Sequence, residues 1–200
     1  FYGWFILAVS FFVVFVSIGT RNGIGVFVVP MIDDFGWSRT SISLSIAIGY
    51  LVNGISQPFV GSLYDRFGGR RVITVSLLVM GLSTMLLSQT NSIWFLILVY
   101  GFVVSVSMGG VSFVTVHSLL AKWFFRKRGI VLSISTAGAS TGSIFLIPFA
   151  AYLILLSNWR TTWFVLGAMI LFLALPLAWL MIRDDPGQLG EVPDGDSDGG

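Results

Sequence analysis

Six long apolar segments alternate with short polar stretches along the chain. A membrane-spanning helix needs about 20 mostly apolar residues, and each segment is near or above that length. The intervening stretches contain Gly, Asn, Asp and Ser, which favour turns. The pattern therefore predicts an all-α membrane protein with six spanning helices, α1 to α6. We place these helices over residues 4–30, 41–63, 72–88, 93–120, 129–156 and 161–182.

The composition agrees with a chain that lies in a bilayer. Hydrophobic residues make up 56% of the sequence, charged residues only 10%, and the mean hydropathy is +0.92. Soluble domains are about a quarter charged. The sequence has no Cys, a single His, and no Asp or Glu inside a predicted span, so it offers neither a metal cluster nor a catalytic dyad. We expect no enzyme activity, no cofactor and no nucleic-acid partner.

Residues 183–200 differ from the rest of the chain because they are polar, acidic and rich in Gly and Pro. Such a composition is typical of a flexible linker. We therefore divide the chain into a bundle of six transmembrane helices at residues 1–182 and a cytoplasmic polar linker at residues 183–200. The sequence opens at Phe1 without Met or a cleavable signal pattern, so we expect the natural start to lie upstream.

Lys and Arg are distributed unequally between the two sides of the predicted bundle. Loops on one side contain Arg39 and Arg160. Loops on the other side contain Arg66, Arg70, Arg71, Lys122, Arg126, Lys127, Arg128 and Arg183. Short loops rich in Lys and Arg stay in the cytoplasm. We therefore expect a multi-pass protein of the cell membrane, the inner membrane of a bacterial-type cell, with both ends of this segment facing the cytoplasm.

The turn between α2 and α3 carries the most specific motif in the sequence. It reads Gly61-Ser-Leu-Tyr-Asp65-Arg66-Phe-Gly68-Gly69-Arg70-Arg71. The spacing Gly-x-x-x-Asp-Arg-x-Gly-x-Arg-Arg resembles the signature loop between helices 2 and 3 of major facilitator superfamily (MFS) transporters. Topology places this turn at the cytoplasmic surface, about half a bilayer from any midplane site. We interpret its charged residues and glycines as a cytoplasmic gate that holds partners and helix ends while the inner side is closed.

A second basic turn, between α4 and α5, indicates which branch of the MFS proteins the chain resembles. Trp123-Phe-Phe-Arg126-Lys127-Arg128, followed by Ser135-Thr-Ala137-Gly138, resembles the loop 4–5 and helix 5 signature of monocarboxylate-porter-like MFS proteins. Tyr2-Gly3-Trp4 and the tail from Asp185 to Gly195 look like the oxalate/formate-antiporter-like branch. The resemblance covers the whole chain as the amino-terminal six-helix half of a twelve-helix transporter.

This resemblance implies a secondary active transporter that moves small organic anions, with monocarboxylates as the expected class, by alternating access. The implied partners are the substrate anion, a proton or counter-anion, the lipid bilayer and a second six-helix half. Two alternatives stay open at this point. One is an MFS exporter of drug-like or other small solutes, and the other is a six-helix membrane subunit that is not a transporter.

A weak internal repeat supports a half-bundle built from two three-helix units. Leu44-Ser-Ile-Ala-Ile-Gly49 in α2 is echoed by Leu132-Ser-Ile-Ser-Thr-Ala-Gly138 in α5, and Arg71 before α3 by Arg160 before α6. An odd number of spans per unit inverts the topology, so the sequence predicts a 3+3 inverted repeat.

Arg21 is the one charged residue inside a predicted span. It lies about 26 Å along the helix from Trp4 at 1.5 Å per residue, in the outer part of a hydrocarbon core about 30 Å thick. We interpret its guanidinium as a ligand for a substrate carboxylate; the alternative is an Arg that snorkels to the outer interface. The resemblance implies a basic substrate contact in helix 1, for which Arg21 is the nearest equivalent and Asn22 the neighbouring candidate.

Four further polar side chains are candidates for the cavity wall. Asn53 and Gln57 share a face of α2 and would line the cavity or hydrogen-bond a neighbouring helix. Tyr100 occupies the region of α4 where drug/proton antiporters carry an Arg. His117 would relay a proton or form a hydrogen bond near the inner mouth. In α5, the small residues Gly138-x-x-x-Gly142 indicate close helix packing.

Overall fold

The computed structural model describes residues 1–193, and its long elements are all helical. This confirms the all-α class. The six long segments have the following bounds: α1 is Gly3–Asn22, a 3₁₀ turn at Gly23–Phe27, then Val28–Phe35; α2 is Arg39–Phe67; α3 is Gly69–Leu86; α4 begins with Ile93–Leu96 and ends with Phe113–Trp123; α5 is Arg128–Leu156; and α6 begins with Trp159–Met169 and ends with Leu175–Met181. Short 3₁₀ turns follow at Leu87–Gln89 and Pro186–Leu189.

Five of these segments are long and apolar enough to cross a membrane, and they are Gly3–Phe35, Gly69–Gln89, Ile93–Trp123, Arg128–Leu156 and Trp159–Met181. The remaining one, α2, is 29 residues long, but polar residues such as Asn53 and Gln57 lower its hydropathy. A helix with polar residues can still cross a bilayer when those side chains bond within the protein.

Polar side chains fix where three of the helices begin. Ser38 Oγ accepts the backbone N–H of Ser41 at 3.1 Å before α2. Ser92 Oγ accepts the N–H of Phe95 before α4, and Asn158 Oδ1 accepts that of Thr161 before α6. These caps satisfy helix N–H groups that have no intrahelical partner.

The first helix is longer than predicted. The acidic residues expected in a loop, Asp33 and Asp34, instead form its last turn, and the helix ends at Gly36 with φ of +66°. A glycine reaches this left-handed conformation without steric cost. Arg21 lies near the middle of the 33-residue helical segment Gly3–Phe35.

The fourth helix is irregular where the sequence predicts one continuous span. A π-helical stretch occupies Ile97–Val104, and the helix breaks between Gly110 and Phe113. Two side-chain hydroxyls donate hydrogen bonds to backbone carbonyls in this region. Ser105 Oγ donates to the Tyr100 carbonyl at 3.0 Å, and Thr115 Oγ1 donates to the Gly109 carbonyl at 3.1 Å. Such bonds let a helix deviate from regularity inside a membrane protein.

Glycines allow the helices to approach closely in three pairs. A Cβ at Gly138 of α5 would lie 2.7 Å from the Phe11 carbonyl oxygen of α1, and one at Gly49 of α2 would lie 2.8 Å from Ser105 Oγ of α4. Between α6 and α3, a Cβ at Gly167 would lie 2.8 Å from the Gly81 carbonyl oxygen. The small residues of α5 thus serve helix packing, as the sequence indicated.

The described part of the predicted linker packs against the bundle. The carbonyl of Arg183 accepts a hydrogen bond from Trp123 Nε1 at 3.0 Å. The Glu191 carboxylate accepts the backbone N–H of Tyr2 at 2.9 Å. Residues 194–200, which include the Asp194-Gly195 end of the tail motif, lie outside the described residues.

Candidate functional site

Arg21 is buried inside the bundle with an incomplete set of partners. Its side chain is 7% exposed, and its guanidinium carbon lies 4.5 Å from the centroid of the Tyr50 ring on α2. The buried Nε has no hydrogen-bond acceptor among residues 1–193. No Asp or Glu in that range forms a hydrogen bond or ion pair with it, so the described bundle holds a buried cation without a counter-anion.

Two hydroxyls beside Arg21 also lack hydrogen-bond partners. Ser17 Oγ, one helical turn earlier, and Thr20 Oγ1 are both buried and unpaired within the part of the chain that the structure covers. Ser17 and Arg21 are four residues apart and therefore lie on one face of α1, and Thr20 adds a third unsatisfied polar group on the same turn. Together they could supply several hydrogen bonds to an anionic ligand.

Other neighbours hold the backbone around Arg21. The Tyr100 hydroxyl on α4 donates to the Arg21 carbonyl at 3.3 Å. Asn22 Nδ2 donates to Ser143 Oγ of α5 at 3.0 Å, and the 3₁₀ turn Gly23–Phe27 follows. A Cβ at Gly23 or Gly25 would meet nothing within 4 Å, so open space adjoins this turn.

The remaining cavity candidates bond to neighbouring helices. Asn53 Nδ2 donates to the Ser105 carbonyl at 2.9 Å, and Gln57 Oε1 accepts from Ser112 Oγ at 3.3 Å. His117 Nε2 lies 3.2 Å from Thr136 Oγ1 of α5. These contacts match the helix-bridging interpretations of Asn53, Gln57 and His117, and no described contact joins them to Arg21.

Sequence reasoning missed Tyr50, Ser17 and Thr20. A signal for Tyr50 was available, because Tyr50, Asn53 and Gln57 follow the i, i+3, i+7 spacing of one helix face. The hydroxyls gave no comparable signal, since Ser and Thr in an apolar helix usually bond to the preceding turn.

The turn between α2 and α3 is tied to the end of the bundle. Arg70 N–H donates to Asp184 Oδ1 at 2.7 Å, and Arg70 Nε and Nη2 both donate to the Trp179 carbonyl, at 3.0 and 2.8 Å. Gly68 has φ of +85°, and a Cβ there would lie 2.6 Å from Asp184 Oδ2. Asp184, 114 residues from Arg70, therefore caps α3, and the motif needs Gly68 both for its backbone conformation and for this contact.

The other charged residues of the two basic turns are exposed at the surface. Asp65, Arg66 and Arg71 of the first turn are exposed, and the Arg66 guanidinium lies over the Phe67 ring at 5.3 Å. In the second turn Arg126, Lys127 and Arg128 are exposed, and Lys127 Nζ lies 5.5 Å from the Trp4 ring centroid. No hydrogen bond or ion pair to Asp65 occurs within residues 1–193.

Comparison with known proteins assigns the family. The sequence profile of the Major Facilitator Superfamily matches residues 10–197. An uncharacterized MFS-type transporter of Bacillus subtilis, YcxA, is 28% identical over 183 residues, which is 92% of this chain and 45% of that protein. Monocarboxylate transporter 9 of mouse is 33% identical over 145 residues, 70% of this chain and 28% of that protein. Human monocarboxylate transporter 14 is 24% identical over 94% of this chain and 38% of its own length.

The chain thus spans less than half the length of these relatives. The relatives and the family are transporters and not enzymes, which agrees with the absence of catalytic residues expected from the sequence. The family match confirms the resemblance based on the turn between α2 and α3. This multi-pass membrane protein belongs to the major facilitator superfamily.

Proposed function

We propose that this chain is the amino-terminal half of a secondary active transporter for small organic anions, with monocarboxylates as the substrate class. The observation that supports this most directly is the state of Arg21. It is 7% exposed and its Nε is unpaired, although a buried charge is costly unless it is paired. A substrate carboxylate would supply the missing charge and hydrogen-bond acceptors.

The names of several relatives support the substrate class. Three of the similar proteins are monocarboxylate transporters of mouse, human and cattle. Monocarboxylates have one carboxylate and a small apolar remainder, and Arg21 lies beside two aromatic side chains, Tyr50 and Tyr100. Arg21 would bind the carboxylate, while Tyr50 and Tyr100 would line the space beside it.

Alternating access would come from rocking of this bundle against a second one about a site near the midplane. Two contacts support the 3+3 inverted repeat on which such motion depends. Arg70 at the start of α3 donates to a carbonyl at the end of α6, and Arg160 at the start of α6 donates to the Ser88 carbonyl after α3 at 2.9 Å. The close helix pairs follow the same symmetry. The repeat relates α1 to α4 and α5 to α2, so it relates the close pair α1–α5 to the close pair α4–α2.

Replacing Arg21 with Met tests the proposal. We expect uptake of carboxylates into proteoliposomes to be lost, and Arg21→Lys to raise KM by roughly ten- to a hundredfold, since a hydrogen bond to a charged group contributes about 1.5–3 kcal/mol. The melting temperature of Arg21→Met should stay equal or rise, because an uncompensated buried charge has been removed. Arg39→Met, at the exposed start of α2, is the matched control and should transport normally.

A structural role for Arg21 predicts the opposite pattern. In that case Arg21→Met would lower the melting temperature and leave KM unchanged in the protein that remains folded. A panel of carboxylates, tested with and without a pH gradient, identifies the substrate and the coupled ion in the same assay.

A further inference from the structure

An apolar groove opens on the surface of the bundle between α2, α3 and α4. It encloses about 680 Å³, and its walls include Val60, Phe67, Val75, Val79, Phe102 and Val106. Several of these side chains are about half exposed, among them Val75 at 58% and Phe102 at 51%. The groove lies away from Arg21, which does not line it.

A polar pocket of about 670 Å³ adjoins one end of this groove. Arg70, Thr74, Trp179 and Asp184 line it, and it shares Phe67, Arg71 and Val75 with the groove. The two spaces therefore meet at Arg71. Trp179 is 57% exposed, and Trp side chains concentrate at the level of lipid headgroups.

The charged side chain of Arg71 at this junction has no partner among residues 1–193. The guanidinium of Arg70 donates hydrogen bonds to the Trp179 carbonyl, and the Asp184 carboxylate accepts one from the Arg70 backbone N–H. The exposed guanidinium of Arg71, by contrast, makes no hydrogen bond or ion pair with any residue between 1 and 193. Among the described residues at the junction, the guanidinium of Arg71 is thus a cation without a hydrogen-bond partner, and it lies above a largely apolar wall.

The length of the groove matches one leaflet of a bilayer. Arg71 and Val79 are eight residues apart on α3, which corresponds to about 12 Å along the helix. Half of a hydrocarbon core is about 15 Å. The groove therefore reaches from the interface at Arg71 close to the middle of the membrane.

We propose that this groove binds an anionic glycerophospholipid of the leaflet on the side of the basic loops. One acyl chain lies along α3 between α2 and α4, and the phosphate pairs with Arg71 at the mouth of the polar pocket. Basic pockets between transmembrane helices bind anionic headgroups in this way. An unpaired guanidinium at one end of a largely apolar wall fits an amphiphile with one charged end.

Native mass spectrometry of the full-length transporter tests this site. The protein in mild detergent is titrated with phosphatidylglycerol and with phosphatidylcholine of the same chain length. We expect the wild type to retain phosphatidylglycerol at least about fivefold more than Arg71→Gln does, and Arg71→Lys to keep most of the binding. Arg39→Gln, an exposed Arg at the opposite end of α2, is the control and should bind as the wild type does.

A second pair of variants tests the apolar part of the site. Val75→Trp fills the groove and should reduce retention of both lipids, whereas Leu173→Trp on the exposed face of α6 should not. A photo-crosslinking residue at position 75 then identifies the occupant. We expect a lipid adduct; a crosslink to another segment of the same chain, or equal retention of phosphatidylglycerol by the wild type, Arg71→Gln and Val75→Trp, would overturn the proposal.

Discussion

The ring of Tyr50 lies against the guanidinium of Arg21. The Tyr50 side chain is 57% exposed, whereas that of Arg21 is 7% exposed. The negative face of the ring lies 4.5 Å from the charge and partly compensates it. A cation–π contact contributes about 0.5–1 kcal/mol at exposed sites and about 2 kcal/mol when desolvated. The ring therefore gives Arg21 a partner, which in the proposed transporter a substrate carboxylate would displace or supplement.

Two substitutions of Tyr50 distinguish the contribution of its ring to stability from that of its hydroxyl. We expect Tyr50→Leu to lower the free energy of unfolding by about 0.5–2 kcal/mol and Tyr50→Phe to change it little, because Phe keeps the aromatic face. Thermal unfolding of the purified transporter measures both. A saturating carboxylate substrate should narrow the difference between wild type and Tyr50→Leu. If Phe destabilises as much as Leu, Arg21 depends on the hydroxyl and not on the ring.

At the scale of elements, the turn between α2 and α3 distinguishes two glycines that look equivalent in the motif. Gly68 has φ of +85° and faces Asp184, whereas a Cβ at Gly61 would meet nothing within 4 Å. We expect Gly68→Ala to destabilise the protein by about 1–3 kcal/mol, the usual cost of an unfavourable backbone conformation. Gly61→Ala is the matched control and should be neutral or stabilising by up to about 1 kcal/mol, since Ala favours a helix. Chemical unfolding followed by circular dichroism measures both values, and equal losses would contradict this assignment.

Asp65 belongs to the same turn but has no ion pair or hydrogen bond within residues 1–193, so we expect its partner in the second bundle. Asp65→Asn should lower the maximal rate of transport with little change in KM, because a gate residue affects the switch between states and not the substrate site. Initial rates of uptake over a range of substrate concentrations measure both constants. Asp33→Asn, an exposed acidic residue at the other end of the bundle, should change neither. A rise in KM alone in Asp65→Asn would argue against the gate.

At the scale of the whole molecule, the basic loops predict its orientation. The helix α5 joins Gly129 near the basic turn to Ser157 at the opposite end. In a Cys-free background we expect Ser157→Cys to react with a membrane-impermeant maleimide in intact cells, and Gly129→Cys to react only after permeabilisation. The reverse labelling would place the basic turns outside the cell and remove the cytoplasmic gate.

Agreement between the predicted and the observed helix bounds varies along the chain: α2, predicted at residues 41–63, runs from Arg39 to Phe67. The beginnings of α4 and α5 lie within one residue of expectation, because Ser92 caps one and the basic turn precedes the other. The end of α1 was wrong by several residues, since Pro30 interrupts the pattern but the chain stays helical to Phe35. A proline near a helix start removes no essential hydrogen bond, and Pro30 follows the 3₁₀ turn closely.

Features that depend on distant residues could not be predicted in this way. The motif identified the turn at Gly68 and Arg70, but nothing in its spacing indicates that Asp184, more than a hundred residues away, caps α3. Likewise, Arg21 was an evident candidate as a lone charge, whereas its contact with Tyr50 depends on how α1 and α2 pack. The break in α4 is bridged by a side-chain hydrogen bond from Thr115 to the Gly109 carbonyl, which hydropathy does not reveal.

The segment after α6 that packs against the bundle shortens the flexible part of a connection to a second bundle. Because Asp184 is bound to Arg70 and Glu191 to Tyr2, residues 183–193 do not serve as flexible slack in a connection to a second bundle. A flexible chain of n residues spans about 5–6 Å × √n, and the effective concentration of a tethered partner rises steeply as n decreases. About ten residues of slack are thus removed, so a second bundle would search a smaller volume before it assembles with this one.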